Sequence, residues 1–119
     1  MKEDRRGAPR GRLRREDVPG RFYLVVDGER FELDDAHDVS VSGMGITLAR
    51  PLAAGTPVRL GYEDDSFQLE LLAEVAWCEP RGQGARLGLR FSPDPMQAND
   101  NALFFMTLRE YLDDFDALG

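Results

Sequence analysis

The stretch DVSVSGMG, residues 38–45, sets an aspartate and two serines at alternate positions and then places two glycines around a methionine. In an extended chain alternate residues share one face about 7 Å apart. Asp38, Ser40 and Ser42 are therefore expected to look outward, where a ligand could sit, while Val39 and Val41 enter a core. An ionised aspartate can only accept hydrogen bonds, and a serine can both donate and accept. Gly43 allows a backbone conformation, or a close approach, that any Cβ would hinder. The same D-x-S-x-x-G pattern also suits an Asx turn leading into a hairpin.

A second cluster lies upstream. In RGRLRR, Arg10 and Arg14 stand four apart with Arg12 and Arg15 interleaved, and Arg6 and Arg10 have the same spacing. Arginine's planar fork binds a phosphate, or the O6/N7 edge of guanine, with two hydrogen bonds, and it can stack on a base. The guanine edge left over carries N1–H and N2–H donors, for which a carboxylate such as Asp38 is the complementary acceptor. Arginine on one edge and aspartate on the other make a guanine reader, and surplus arginines can neutralise phosphates. The plain alternative for the arginines is a basic tail that aids solubility or binds nucleic acid.

Charge separates the two clusters. The chain of 119 residues has a net charge of −7, yet residues 1–21 carry eight basic and four acidic groups, while the remainder carries seven basic and eighteen acidic. A cationic arm precedes an acidic body. The acidic body argues against a general nucleic-acid binder, whose affinity is built from a surplus of Lys and Arg. Catalysis lacks its usual parts: His37 is the single histidine and Cys78 the single cysteine, so neither a nucleophile with its base nor a metal site is supplied. The expectation is no enzyme, no catalytic residue, no metal and no cofactor. His37 reads as a solvated turn residue and Cys78 as a small packing residue. One cysteine closes no internal disulfide, and the sequence has neither a secretory leader nor an apolar run of the roughly 18 residues needed to cross a bilayer. A cytoplasmic protein without membrane insertion is expected.

The elements that must hold these residues can be read from periodicity. Residues 1–20, with two prolines, three glycines and little that is apolar, read as a flexible arginine-rich arm. From Arg21 the polarity alternates with period two, the signature of strands with one buried face. RFYLVV meets ERFELDD across Asp27-Gly28, a pair suited to a tight hairpin. Val39, Val41, Met44, Ile46 and Leu48 form the next segment, with a slip in parity near Ser42-Gly43 that marks a turn or bulge. PVRLGYE follows. The longest segment places Phe67, Leu69, Leu71, Ala73, Val75 and Trp77 on one face, and Ala85, Leu87, Leu89 and Phe91 close the series. Six strands joined by turns predict a mainly β domain over residues 21–119, a small antiparallel barrel or sandwich. After Pro95 the period changes: Phe104, Leu108, Tyr111, Leu112 and Phe115 fall on one stripe of a helix over about 98–116, with Asn99 or Asp100 as N-cap.

Taken together, an R-x-x-x-R arm, D-x-S-x-x-G, the stretches AEVAWCE (73–79) and LGLRF (87–91), and a terminal helix resemble the PilZ domain family from about Arg10 to the end of the chain. The resemblance implies a six-stranded split β-barrel and a bacterial receptor for cyclic di-GMP, often bound as an intercalated dimer, with no catalysis. Carried over by motif, the ligand residues are Asp38, Ser40 and Gly43, with Arg10, Arg14 and Arg15 from the arm and with Arg12 and Ser42 in support. Which arginine pair fills the first motif, Arg6 with Arg10 or Arg10 with Arg14 or Arg15, stays open. A monomer is expected that relays the second messenger to a protein partner as the arm orders around the ligand. The alternative is a ligand-free interaction module of motility or secretion machinery.

Overall fold

Alternating polarity between Arg21 and Phe91 is met by antiparallel strands, as the sequence predicts, but the strands are more numerous. The computed structural model describes residues 10–113. In it β1 (Arg10–Leu13), β2 (Arg21–Val26), β3 (Glu29–Glu32), β4 (Asp35–Ser40), β5 (Gly43–Leu48), β6 (Pro57–Glu63), β7 (Gln68–Arg81), β8 (Gly84–Phe91) and β9 (Leu112–Asp113) accompany one α-helix, α1 (Ala98–Leu108). All strands belong to one sheet of order β3-β2-β6-β7-β8-β5-β4-β1-β9. Among the described residues no pairing joins β3 to β9, so the expected six-stranded barrel is replaced by a nine-stranded sheet that is not closed. The extra strands have identifiable origins. Residues 38–48 fold as two strands around a turn at Val41-Ser42, and β1 and β9 come from segments read as arm and helix.

Inward residues of the strands make one core. Phe22, Leu24, Val39, Ile46, Leu60, Leu71 and Leu87 are buried, and Phe104 and Leu108 of α1 close over them. Burial of each such side chain is worth roughly 1.5–3 kcal/mol. The ring of Phe104 meets Phe91 edge-on at 5.8 Å and Phe22 at 6.3 Å. Gln97 pins the start of the helix to β7: its Oε1 accepts from Leu72 N (2.8 Å) and its Nε2 donates to Leu72 O (2.9 Å). The β2–β3 turn is as expected, with Asp27 and Gly28 both at positive φ (53° and 80°).

Several expectations are corrected. Residues 10–20, read as part of a loose arm, are built into the fold: β1 pairs with both β4 and β9, and Leu13 and Val18 are buried. Alternation explains this, since Gly11 and Leu13 face inward while Arg12 faces out. Residues 1–9 lie outside the described residues. The helix stops at Leu108 and is followed by a 3-10 turn (Arg109–Tyr111) that leads into β9, while 114–116 of the predicted helix lie outside the described residues. Gln97, not Asn99 or Asp100, occupies the N-cap position, because a 3-10 turn (Pro95–Gln97) capped by Asp94 precedes the helix.

Candidate functional site

Across β1, β4, β5, β8 and β7 cross-strand neighbours form rows that follow from the register of the ladder. One row runs Arg12, Asp38, Gly45, Gly88, Trp77. Its neighbour runs Arg10, Ser40, Gly43, Arg90, Glu74, with Ser40 following Val39, which pairs with Met44. On the other side lie Thr47, Arg86 and Glu79. The middle row has no side chains at its centre. Gly45 and Gly88 make a bare floor, with Asp38 on one wall and Trp77 on the other, and the resulting cleft of about 290 Å3 is also lined by Ser42, Gly43 and Arg90.

Both floor glycines are required by the side chains beside them. A Cβ on Gly45 would come within 2.6 Å of Asp38 Oδ1, the atom that accepts a hydrogen bond from Gly45 N at 3.1 Å. A Cβ on Gly88 would run into the indole of Trp77. The indole therefore lies against the floor while remaining 48% exposed. A flat apolar wall with one open face opposite a carboxylate suits a base held by stacking on one side and by hydrogen bonds on the other.

The residues of D-x-S-x-x-G divide into two groups. Asp38 is half-buried and lines the cleft. Ser40, expected to face a ligand, is buried, and its Oγ accepts from the backbone N–H groups of Ser42 and Gly43, both at 3.2 Å, closing the β4–β5 turn. Ser42, exposed in that turn, has its Oγ 3.1 Å from Ser40 Oγ. Gly43 makes room for its own chain: a Cβ there would strike the carbonyl oxygen of Leu89 on β8. Val41, expected in the core, is 38% exposed at the turn, where the alternation ends.

The arginines divide as well. Arg10 stands opposite Ser40 in the ladder, and Arg12 stands opposite Asp38 with its side chain exposed. Arg14 is engaged elsewhere. Its Nη1 donates to Asp17 Oδ2 at 2.8 Å, its Nη2 to the carbonyl of Glu110, and its backbone N to Tyr111 O at 2.8 Å. The backbone of Arg15 begins the 3-10 turn Arg15–Asp17, past the end of β1. The structure thus places the backbone of Arg10 opposite Ser40 and Arg12 opposite Asp38, and ties Arg14 to the segment after α1.

Trp77, Gly45, Gly88 and Arg90 are lining residues that the sequence reading did not identify. Trp77 was expected on the inward face of its strand. A register shift between Val75 and Trp77 inserts Ala76 as an extra residue, which turns Trp77 outward and Cys78 toward the core. A β-bulge has this effect, because one added residue exchanges the two faces of a strand. Cys78 is accordingly packed against the core, as expected of a packing residue. His37, read as a solvated turn residue, sits in β4 at a second register shift, with Nε2 2.6 Å from Thr47 Oγ1.

Comparison with known proteins gives a family and a fold. A family model described as PilZ domain matches residues 4–109. No curated protein matches the chain. Among solved structures, YcgR from Escherichia coli in complex with c-di-GMP is similar with a TM-score of 0.60 and 22% identity, over 90% of this chain and 47% of that one. The Bacillus subtilis inhibitor of motility MotI/DgrA is similar with a TM-score of 0.59 and 19% identity, over 91% of this chain and 51% of that one. The chain spans about half the length of these structures.

Proposed function

Because the chain belongs to the PilZ domain family, whose members are receptors and effectors and not enzymes, we propose that it is a cyclic di-GMP receptor that takes a guanine of the ligand on the Gly45-Gly88 floor. The observation that carries the reading is the placement of Asp38 and the half-exposed indole of Trp77 on opposite walls of that floor, with Arg10 and Arg12 on the adjoining strand. The base stacks on Trp77, and Asp38 accepts from its N1–H and N2–H. Arginines of β1 and the segment before it take the O6/N7 edge and the phosphates. Ser40 and Gly43 act through the turn: they fix the backbone that presents Asp38, with Ser42 beside them.

Of the arginine pairs that the sequence offers, Arg6 with Arg10 fits this site better than Arg10 with Arg14 or Arg15. The matched family span begins at residue 4 and so includes Arg6. Arg10 lies at the Ser40 end of the site, whereas Arg14 is bonded to Asp17 and Glu110. Relay to a protein partner would use β1, which pairs with β4 of the site on one side and with β9 on the other. A ligand held by Arg10 pulls on a strand already tied to the segment after α1. The similarity of fold to E. coli YcgR, solved with c-di-GMP, and to an inhibitor of motility is in keeping with such a receptor.

The test is a calorimetric titration of the whole chain with cyclic di-GMP, cyclic di-AMP and GTP. Binding of cyclic di-GMP at micromolar affinity, about 8 kcal/mol, and of neither other ligand is expected. No heat and no chemical-shift change with cyclic di-GMP would overturn the reading. That outcome favours the second reading, a ligand-free interaction module, for which the exposed Leu103 and Met106 on α1 (51% and 64%) would be the contact face.

A further inference from the structure

On the other side of Asp38 from Arg90 lies a second concavity of about 280 Å3, lined by Arg12, Leu13, Glu16, Asp35, Ala36, His37 and Arg86. We propose that it is a second anion pocket, in which Arg12 and Arg86 converge on a phosphate-class anion with His37 and Thr47 between them. None of the motif residues except the supporting Arg12 lines it, so the pocket stands on its own observations. Only its use by a phosphodiester of a cyclic dinucleotide rests on the receptor function proposed above.

Two guanidinium groups reach it from opposite sides. Arg12 projects from β1 and Arg86 from β8, with β4 and β5 between them, a separation of three strand spacings or about 14 Å. Long side chains extended from either side can close that span over one anion. Neither Arg12 nor Arg86 has a hydrogen bond or ion pair among the described residues, in contrast to Arg14, Arg30, Arg81 and Arg90, which are all paired with carboxylates.

The acidic groups nearby are partly engaged. Asp35 Oδ1 accepts from Ala36 N at 2.9 Å, and its Oδ2 lies 3.6 Å from His37 Nδ1. Glu79, opposite Arg86 in the ladder, is bonded to Arg81 at 2.9 Å. Glu16 also lines the pocket, from the 3-10 turn after β1. The bulge at His37 turns its ring toward Thr47 and keeps the pocket floor polar. Two arginines with no carboxylate partner among the described residues, both lining one concavity, can bind an anion with two charge-assisted hydrogen bonds from each fork.

The anion could be free phosphate or a phosphodiester of a cyclic dinucleotide, and two titrations separate these sources. In the first, inorganic phosphate is added to the whole chain and backbone amide shifts are followed. His37, Thr47 and Arg86 are expected to move in the wild type and to stay still in Arg86→Ala. In the second, cyclic di-GMP is titrated calorimetrically into wild type and Arg86→Ala. About 5- to 10-fold weaker binding is expected in the variant, with a shallower dependence on salt because one charge is lost. Arg86→Lys should recover part of the loss. Arg86 is exposed and has no hydrogen bond or ion pair among the described residues, so Arg86→Ala is expected to keep its thermal midpoint.

Phosphate-induced shifts without any binding of cyclic di-GMP would uphold the pocket and defeat the receptor reading. Cyclic di-GMP binding that is identical in affinity and salt dependence in Arg86→Ala, with no phosphate shifts at the three positions, would defeat the pocket and leave the receptor reading intact.

Discussion

Asp38 serves the fold and the proposed ligand with the same carboxylate. One oxygen holds Gly45 N at 3.1 Å, and an ionised carboxylate has about four acceptor directions in all. Asp38→Ala is expected to weaken cyclic di-GMP binding by about 10- to 100-fold, since charge-assisted hydrogen bonds contribute roughly 1.5–3 kcal/mol each; calorimetry with a circular dichroism control on folding measures this. Gly45→Ala provides a separate test of the same contact. The new methyl meets Asp38 Oδ1 at 2.6 Å and must displace it, so affinity should fall although no ligand-contacting side chain has been removed. Trp77→Ala should cost about 1–3 kcal/mol of binding, the range for loss of one base–aromatic stack. Its effect on stability should be smaller than that of a core aromatic, because the ring is half exposed.

At the scale of elements, the turn between β6 and β7 gives the clearest dependence on pH. Asp64 Oδ1 accepts from Ser66 N at 2.7 Å and Phe67 N at 3.1 Å, and its Oδ2 accepts from Tyr62 OH at 2.8 Å. The backbone bond from Ser66, then the Tyr62 hydroxyl, hold the Asp64 carboxyl below the usual aspartate range. A lowered native pKa means that the unfolded chain binds the proton first as pH falls. The contribution is therefore present above the unfolded value and is lost as pH drops through the native one. Asp64→Asn should flatten the acid limb of thermal stability against pH. Much of this architecture is legible in the sequence: the Asp27-Gly28 hairpin, the alternation in β6 and β8, and the outward position of Asp38 all follow from local pattern. What is hidden depends on register. The extra residue at Ala76 that turns Trp77 outward is specified by pairing with β8, and no two-residue pattern in β7 reveals it. Ser40 was hidden for a different reason, because its hydroxyl satisfies turn amides that a sequence pattern does not distinguish from a ligand. β1 was missed because four residues, two of them arginines and one a glycine, acquire strand character only between two partners.

The molecule as a whole is a sheet in which the proposed site spans five adjacent strands, so several distant segments must agree before a ligand fits. Arg14 shows the coupling. Because it joins β1 to the segment after α1 and not to the cleft, Arg14→Ala should leave cyclic di-GMP affinity within about 3-fold of wild type, while Arg10→Ala loses more than about 10-fold. Truncation after Leu108 removes the β9 pairing and the Tyr111 acceptor, and faster hydrogen exchange in β1 is the expected result. The position of the indole has one more consequence. The chain has a single tryptophan, and it forms a wall of the cleft, so intrinsic fluorescence reports from this one place without interference from any other indole. A guanine arriving on that ring should quench and shift the emission, which makes the native protein an unlabelled optical gauge of its own occupancy.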